Sequence, residues 1–477
     1  MKVLSMANKL PDIKANFPEW YNEIIFQSEL ADLSPVRGSI VIRPYGYAIW
    51  ENIQKTLDKK IKDTGHQNAY FPLLIPESFL KKEAKHVEGF APEVAVVTYA
   101  GGKELEEPLV IRPTSETMIH YMFAKWLKSW RDLPFKINQW ANIVRWEMRT
   151  RPFLRTTEIL WQEGHTAHET LQEAQEEVFT MLDQYVDLVQ NYLAIPVVAG
   201  QKSESEKFAG ADKTFTIEGL MQDGRALQMG TSHLISQSFA KSFDMKFQNR
   251  EGQLAYPYLT SWGVTTRLVG ALVMTHGDQK GLIIPPKIAP IQIAIVPIFK
   301  GEEKDKLQKV AQELAQKLKT KFRVFLDDSQ EETPGAKFYK WELKGVPLRI
   351  EIGPRDLQAN QVVITDRLTS TKQSVAFNNL ENFVEQTLEK IQQDMFDSAK
   401  ARRDSMWHKV AKLTDFAKQL DEQGGFYQTG WCGRSECEAR LKEYKATIRC
   451  LVNENNFKSC FNCDLPSNRD ILVAKAY

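Results

Sequence analysis

A chain of 477 residues is too long for one hydrophobic core, so two to four domains are expected. With 43% apolar and 26% charged residues it is neither disordered nor fibrous, and a net charge of +1 confines any basic surface to a local patch. The first twenty residues carry no apolar core or cleavage site, and the most apolar run, IAPIQIAIVPIF (288–299), is short and interrupted by two prolines, so a cytoplasmic protein with no membrane partner is expected.

Residues 45–64 read as a helix, because Ile49, Ile53, Leu57 and Ile61 recur every four residues before Gly65. NAYFPLLIP (68–76) reads as an apolar strand carrying Pro72, and INQWANIVRWE (137–147) as a strand by alternation. A long helix is expected over 166–193, opened by a capping box of Thr166 and Glu169. Residues 271–290 read as a helix leaving the main body and then a linker marked by Pro285, Pro286 and Pro290. Beyond it strands and helices alternate as in a small α/β domain with a largely parallel sheet, and a tail begins near 400.

The stretch RWEMRTRPFLRTTEILWQEGHTAHE (145–169) places Arg145 before a loop, Arg149 and Arg151 within it and Arg155 after it, in a strand–loop–strand pattern. Guanidinium groups hold phosphate oxygens through paired hydrogen bonds, whereas a salt-bridged surface hairpin has little use for so many. Arg267 opens an apolar helix in SWGVTTRLVGALVMTHGD (261–278), and Arg112 lies in IRPTSE (111–116) with Thr114 and Glu116. Three arginine-bearing elements suggest one polyphosphate site.

All five cysteines lie at position 432 or later, which excludes a thiolate site in the main body. Cys432-x4-Cys437 followed by Cys460-x2-Cys463 is a four-thiolate arrangement for structural Zn²⁺, with no coordination position left open. Cys450, in ATIRCLV, reads as a small buried residue. Lys400, Arg402, Arg403, Lys409 and Lys412 form a basic run, either a phosphate contact or a solvated face.

The helix–strand unit with Pro72, the Arg145-x-Glu147 hairpin and the Arg267 helix resemble, in order, motifs 1, 2 and 3 of class II aminoacyl-tRNA synthetases. FAPEVAVVT, IRPTSE, PFLRTTEILWQEGHTA, EKFAGAD, GTSH and SWGVTTR are similar to the prolyl-tRNA synthetase family of archaeal and eukaryotic type, over essentially the whole chain. The resemblance implies a mixed α/β (α+β) fold: an antiparallel-sheet catalytic domain over 1–286, an α/β anticodon-binding domain over 287–398 and a small zinc-binding domain over 399–477. The chain has no glycine-rich nucleotide loop, in agreement with a sheet of that kind.

The resemblance also implies roles. Arg145 and Arg267 would be the catalytic residues and, with Glu147, Arg155, Thr156, Gln228, Thr231 and Thr265, would bind ATP with Mg²⁺. Thr114 and Glu116 would take the ammonium of L-proline, Trp161 and Phe208 its ring, with Glu163, His165, Thr231 and His233 around the floor. Glu342 and Arg349 would read the anticodon of tRNA(Pro). Motif 1 implies a homodimer, with helix 45–64 supplying the apolar face, and the C-terminal Tyr477 would return toward the active site. Fewer than a hundred residues separate the hairpin from SWG at 261, leaving no room for an inserted editing domain. A threonyl enzyme would need a main-body cysteine, and a catalytically dead RNA-binding paralogue would be expected to lose the motif arginines, which are present here.

Overall fold

The computed structural model describes residues 9–82, 94–299 and 303–477, so residues 90–93 of the FAPEVAVVT run lie outside the described residues. Helix α1 (Phe17–Gln27) starts at Asn16, whose side chain accepts from the Glu19 amide. Helix α2 (Pro44–Asp63) starts on a proline, which needs no amide partner there, and stops before Gly65 at φ +89°. Its Ile49, Ile53, Leu57 and Ile61 are completely buried in the chain's own main core, and Trp50 meets Trp140 edge-on at 5.7 Å. The face expected to meet a partner copy is therefore already covered.

A small sheet of β1 (Leu74–Pro76), β2 (Ala95–Ala100) and β3 (Lys103–Ile111) is antiparallel with β3 central, and α3 (Glu116–Trp126) follows it. The main sheet is built from β4 (Phe135–Val144), β5 (Glu158–His168), β6 (Val197–Gln201), β7 (Lys213–Leu220), β8 (Ala226–Ser236) and β9 (Tyr258–Thr265). These pair antiparallel in the order β6-β7-β8-β9-β5-β4, with a two-residue parallel edge at Gln67–Asn68. Helix α4 (Leu171–Asp187) packs across the sheet, and α5 (Arg267–His276) leaves the end of β9.

Two expectations change here. The helix begins not at Thr166 but after Thr170, which forms its capping box with Glu173, and it ends at Asp187 in a π-turn. The pattern Thr-x-x-Glu occurs twice in succession, and β5 takes the first copy because β4 pairs with it as far as Ala167 and β9 as far as His168. The stretch after α5 is a packed crossing rather than a free linker. Leu282, Ile284 and Ile288 are fully buried, and the amides of Leu282 and Ile284 donate to the carbonyls of Leu343 and Gly345.

The next body contains β10 (Ile293–Pro297), β11 (Val324–Leu326), β12 (Leu348–Ile352), β13 (Gln361–Asp366) and β14 (Lys372–Ala376) in the order β11-β10-β12-β13-β14. Helices α6 (Lys304–Leu318), α7 (Pro334–Leu343) and α8 (Leu380–Ser405) belong to it. Only β11, β10 and β12 are parallel; β13 and β14 run antiparallel, so the sheet is mixed rather than largely parallel. Between β12 and β13 there is only the short helix Pro354–Gln358, less chain than a parallel crossover requires.

In the tail, β15 (Trp407–Lys409), α9 (Leu413–Glu422), β16 (Phe426–Trp431), β17 (Ala446–Leu451) and β18 (Arg469–Lys475) surround their own core of Phe416, Tyr427, Ile448 and Val473. Its strands extend the main sheet, because Leu451 of β17 pairs with Gln201 of β6. Within the basic run, Arg402 donates to the Thr275 carbonyl at 2.6 Å and Arg403 pairs with Asp404, whereas Lys400 is exposed and Lys409 and Lys412 lie on the surface near Glu454 and Asp464. Residues 169–257, all described, form α4, β6 to β8 and short connecting pieces, and hold no inserted body.

Candidate active site

Along β5 alternate side chains share a face, and Trp161, Glu163 and His165 turn to the same side. Across the ladder Trp161 faces Thr265, Glu163 faces Gly263, and His165 faces Ser261 of β9. β9 in turn sets Gly263 and Ser261 against Thr231 and His233 of β8. One face of these three strands thus becomes the floor of a cavity of about 310 Å³. Its lining includes Thr114, Glu116, Arg145, Trp161, Glu163, His165, Phe208, Gln228, Thr231, His233, Thr265 and Arg267.

The two arginines are held from opposite sides. Arg145, just after β4, donates through Nε to the Pro113 carbonyl at 3.1 Å, and its guanidinium lies 6.0 Å from the Trp161 ring centre. Arg267, at the first position of α5, donates to the Leu154 carbonyl at 3.2 Å and the Gln228 carbonyl at 3.3 Å. Burial, and then the charge of Arg145, lower its pKa to about 10, which still leaves it cationic at neutral pH. Two cations converging on one half-enclosed cavity favour a polyanion.

The other end of the cavity is aromatic and acidic. The Phe208 ring lies 4.8 Å from that of His233, and the Thr114 hydroxyl donates to the Glu116 carboxylate. Glu163 is fixed by three partners: Ser115 Oγ at 2.5 Å, Gln139 Nε2 at 2.7 Å and His165 Nε2 at 3.1 Å. Burial disfavours the charged form of His165, but the hydrogen bond and charge of Glu163, with Glu116 behind, outweigh it and raise its pKa. His233, against Thr214 Oγ1 at 2.9 Å, is pushed down to about 3, first by burial and then by His165. Trp161 Nε1, His165 Nδ1 and Ser261 Oγ are buried without a hydrogen-bond partner among the described residues, so the cavity offers unused polar atoms beside its apolar walls.

Several expected residues stand elsewhere. Glu147, Arg155 and Thr156 do not line the cavity; Arg155 is exposed and pairs with Glu147 at 2.6 Å, and Thr156 donates to the Glu158 carbonyl. Arg112 belongs to no polyphosphate site: its buried guanidinium donates to the carbonyls of Phe71 and Asn142 and ties the small sheet to the large one. Tyr477 packs on the motif 2 hairpin, 5.2 Å below the Arg151 guanidinium, and its hydroxyl donates to Asp223 at 2.6 Å. Ser115, Gln139 and Ser261 were not singled out in the sequence. Ser115 and Ser261 sit within quoted motifs, but nothing in their spacing distinguished them from neighbours.

Two secondary sites complete the picture. Glu342 and Arg349 line one small recess with Trp341, Thr365 and Arg367. They do not pair with each other: Arg349 pairs with Glu351 at 2.8 Å and stacks 4.3 Å from Phe338, while Glu342 lies 3.3 Å from Lys280. The ligand atoms of Cys432, Cys437, Cys460 and Cys463 all lie within 4.8 Å of one another, with Cys432 3.7 Å from both Cys437 and Cys463. A tetrahedron with metal–sulfur bonds of about 2.3 Å has edges of about 3.8 Å, so the four thiols fit a metal ion.

Known proteins share this fold. Residues 98–276 match the tRNA synthetase class II core domain (G, H, P, S and T), and residues 292–387 match the anticodon binding domain. The chain is therefore a class II aminoacyl-tRNA synthetase, with an antiparallel sheet as its catalytic platform. Residues 413–477 match the prolyl-tRNA synthetase C-terminal domain. Proline--tRNA ligase 2 of Clostridioides difficile is 52% identical over 99% of this chain and 98% of its own length, and proline--tRNA ligase of Chloroherpeton thalassium is 51% identical over 99% and 100%. The crystal structure of prolyl-tRNA synthetase from Cryptosporidium parvum, complexed with halofuginone and AMPPNP, superimposes with a TM-score of 0.94 at 41% identity, covering 99% of this chain and all of that one. The chain belongs to the prolyl-tRNA synthetase family.

The histidine arrangement is testable by pH. Because the folded pKa of His165 is raised, its pairing with Glu163 stabilises the fold fully below the ordinary imidazole value of about 6.5 and fades as pH rises through the higher one. His120, buried against the His165 ring at 5.8 Å, is held well below that range first by burial and then by His165, and stays neutral. A nuclear magnetic resonance titration should show His165 protonating above the ordinary value, and Glu163→Gln should lower its midpoint; an unmoved midpoint would contradict the pairing.

Proposed function

We propose that the chain activates L-proline with ATP and transfers the prolyl group to the 3′ end of tRNA(Pro), and that the cavity on the main sheet is where both steps occur. The observation that carries this reading is the meeting of two guanidinium groups with an aromatic-walled, carboxylate-bearing pocket on one sheet face. Arg145 and Arg267 take the triphosphate, and Gln228, Thr231 and Thr265 supply polar contacts around the nucleotide. Glu147, Arg155 and Thr156, although outside the cavity lining, are assigned to the same ATP set. Mg²⁺ bound with ATP supplies further neutralisation of phosphate charge.

Thr114 and Glu116 take the secondary ammonium, and Trp161 and Phe208 wall the pyrrolidine ring. Such a ring offers only apolar area and one charged nitrogen, so those are the groups its pocket needs. Glu163, held by Ser115 and Gln139, orients His165 at the floor, and His233 completes it. In the first step a proline carboxylate oxygen bonds to the α-phosphorus and the bond to the pyrophosphate oxygen breaks. In the second a terminal ribose hydroxyl of tRNA attacks the acyl carbon, releasing AMP and a proton. No protein nucleophile is assigned: positioning and charge stabilisation carry the rate.

Glu342 and Arg349 read the anticodon, because Arg donors suit a guanine O6/N7 edge and a carboxylate accepts from its N1 and N2 hydrogens. Cys432, Cys437, Cys460 and Cys463 hold a structural Zn²⁺, which closes the loop ends of the tail. The regions 1–286, 287–398 and 399–477 act as catalytic, anticodon-binding and zinc-binding domains in the cytoplasm, where tRNA is charged and thiols stay reduced. The working unit is a homodimer. Its contact uses not the face of α2 but exposed apolar side chains on and beside the small sheet, Tyr70, Leu74, Val96 and Tyr99.

In ATP–pyrophosphate exchange screened over the amino acids, proline alone should give signal, and no signal with any amino acid would sink the reading. Arg145→Ala should retain the circular dichroism of the parent and lose exchange by about 10²–10³-fold, as removal of one charge-stabilising donor does. The purified protein should carry one zinc per chain; Cys437→Ser should lose it and unfold at lower temperature, and a fully loaded, equally stable variant would contradict the four-thiolate assignment. Sedimentation should give twice the 54.8 kDa chain mass, and a single-chain mass at micromolar concentration would overturn the dimer.

A further inference from the structure

The tail meets the catalytic sheet through a shared apolar cluster that includes Leu220 and Phe426, an isolated bridge between Ala226 and Ala476, and a set of buried ions. β17 reaches β6 through one residue pair. Two residues before that pair, Arg449 sends Nε and Nη2 to Oε2 of Glu218 on β7, at 3.0 and 2.9 Å. Oε1 of the same carboxylate accepts from Lys202 Nζ at 2.8 Å and from the Thr216 hydroxyl at 2.8 Å. Glu218 is fully buried, and Lys202 and Arg449 nearly so. A cluster this desolvated is often no more stable than well-packed apolar residues of the same volume. Stability alone is a weak reason for its presence.

Its position supplies a stronger one. Glu218 stands directly across the β7–β8 ladder from Gln228, where the register shifts after Ile217. Gln228 lines the cavity, and its carbonyl accepts from Arg267 Nη1. Of the charges acting on the half-buried Arg267 guanidinium, Glu218 is the acidic one, opposing desolvation and Arg145. The chain of contacts from the tail to the phosphate-facing arginine is therefore Arg449, Glu218, Gln228, Arg267.

We propose that Arg449 is a positioning residue for the nucleotide half of the site: its two-pronged grip on Glu218 fixes the strand segment bearing Gln228 and so sets where Arg267 meets the phosphates. The zinc-bearing tail is then a working part of the ATP site. This rests on the adenylation reading of the cavity.

The test is proline-dependent ATP–pyrophosphate exchange on full-length wild type, Arg449→Met and Arg449→Lys. Lys202 and Thr216 still hold the Glu218 carboxylate in both variants, so it is not left buried without partners. A small misplacement of a positioning group is felt steeply, so the KM for ATP should rise about tenfold in Arg449→Met and about threefold in Arg449→Lys, which keeps the charge but loses the fork, while the KM for proline stays within about twofold. A tie that is only structural would lower the melting temperature and leave both KM values unmoved or shifted together, and either pattern would overturn the proposal. Should Arg449→Met fail to fold, Arg449→Lys decides, an unchanged KM for ATP counting against it. A wild type with no exchange would instead refute the adenylation reading.

Discussion

The pairing of β5 with β9 is the constraint on which the rest depends. It sets Trp161 against Thr265, Glu163 against Gly263 and His165 against Ser261, and the neighbouring β8 continues the same face with Thr231 and His233. Strand periodicity is two, so a slip of one residue would turn every one of these side chains into the opposite layer. That layer is already filled: a Cβ on Gly164 would lie 2.0 Å from the Trp262 ring. Close packing behind the sheet thus locks the register that builds the cavity in front of it.

A surface that gathers cations and carboxylates out of water needs each of them held. Arg145 and Arg267 both donate to backbone carbonyls, which holds them against the cavity they line. Glu163 is held by Ser115, Gln139 and His165, so it orients the floor rather than pairing with the arginines. This separation keeps a cationic end and an acidic end within one cavity. Such preorganisation places the stabilising charges before the reaction begins.

Much of the fold was legible because long periodic segments dominate it. The four-residue repeat of Ile49, Ile53, Leu57 and Ile61 made α2 readable, though not what would cover it, since an apolar stripe looks the same against its own sheet or a partner. Strand pairing decided between two consecutive Thr-x-x-Glu caps, and single-segment reasoning has no access to pairing. Arg112 reads as a phosphate ligand in the sequence because an arginine in a motif looks alike whether its partner is a ligand or the Phe71 carbonyl. The four-cysteine cluster was readable from spacing alone, since few other uses exist for that pattern. Ser115, Gln139 and Ser261 became visible only when the sheet brought them to Glu163 and His165, from elements that share no local pattern.

The proposed function requires one sheet face to hold proline and ATP side by side. A crystal structure of the protein with L-proline and a non-hydrolysable ATP analogue tests it most directly. The α-phosphate should lie within hydrogen-bonding distance of Arg145, the outer phosphates by Arg267, and the pyrrolidine ring between Trp161 and Phe208 with its nitrogen at Glu116. Proline or nucleotide bound outside this cavity, or phosphates turned away from both arginines, would contradict it.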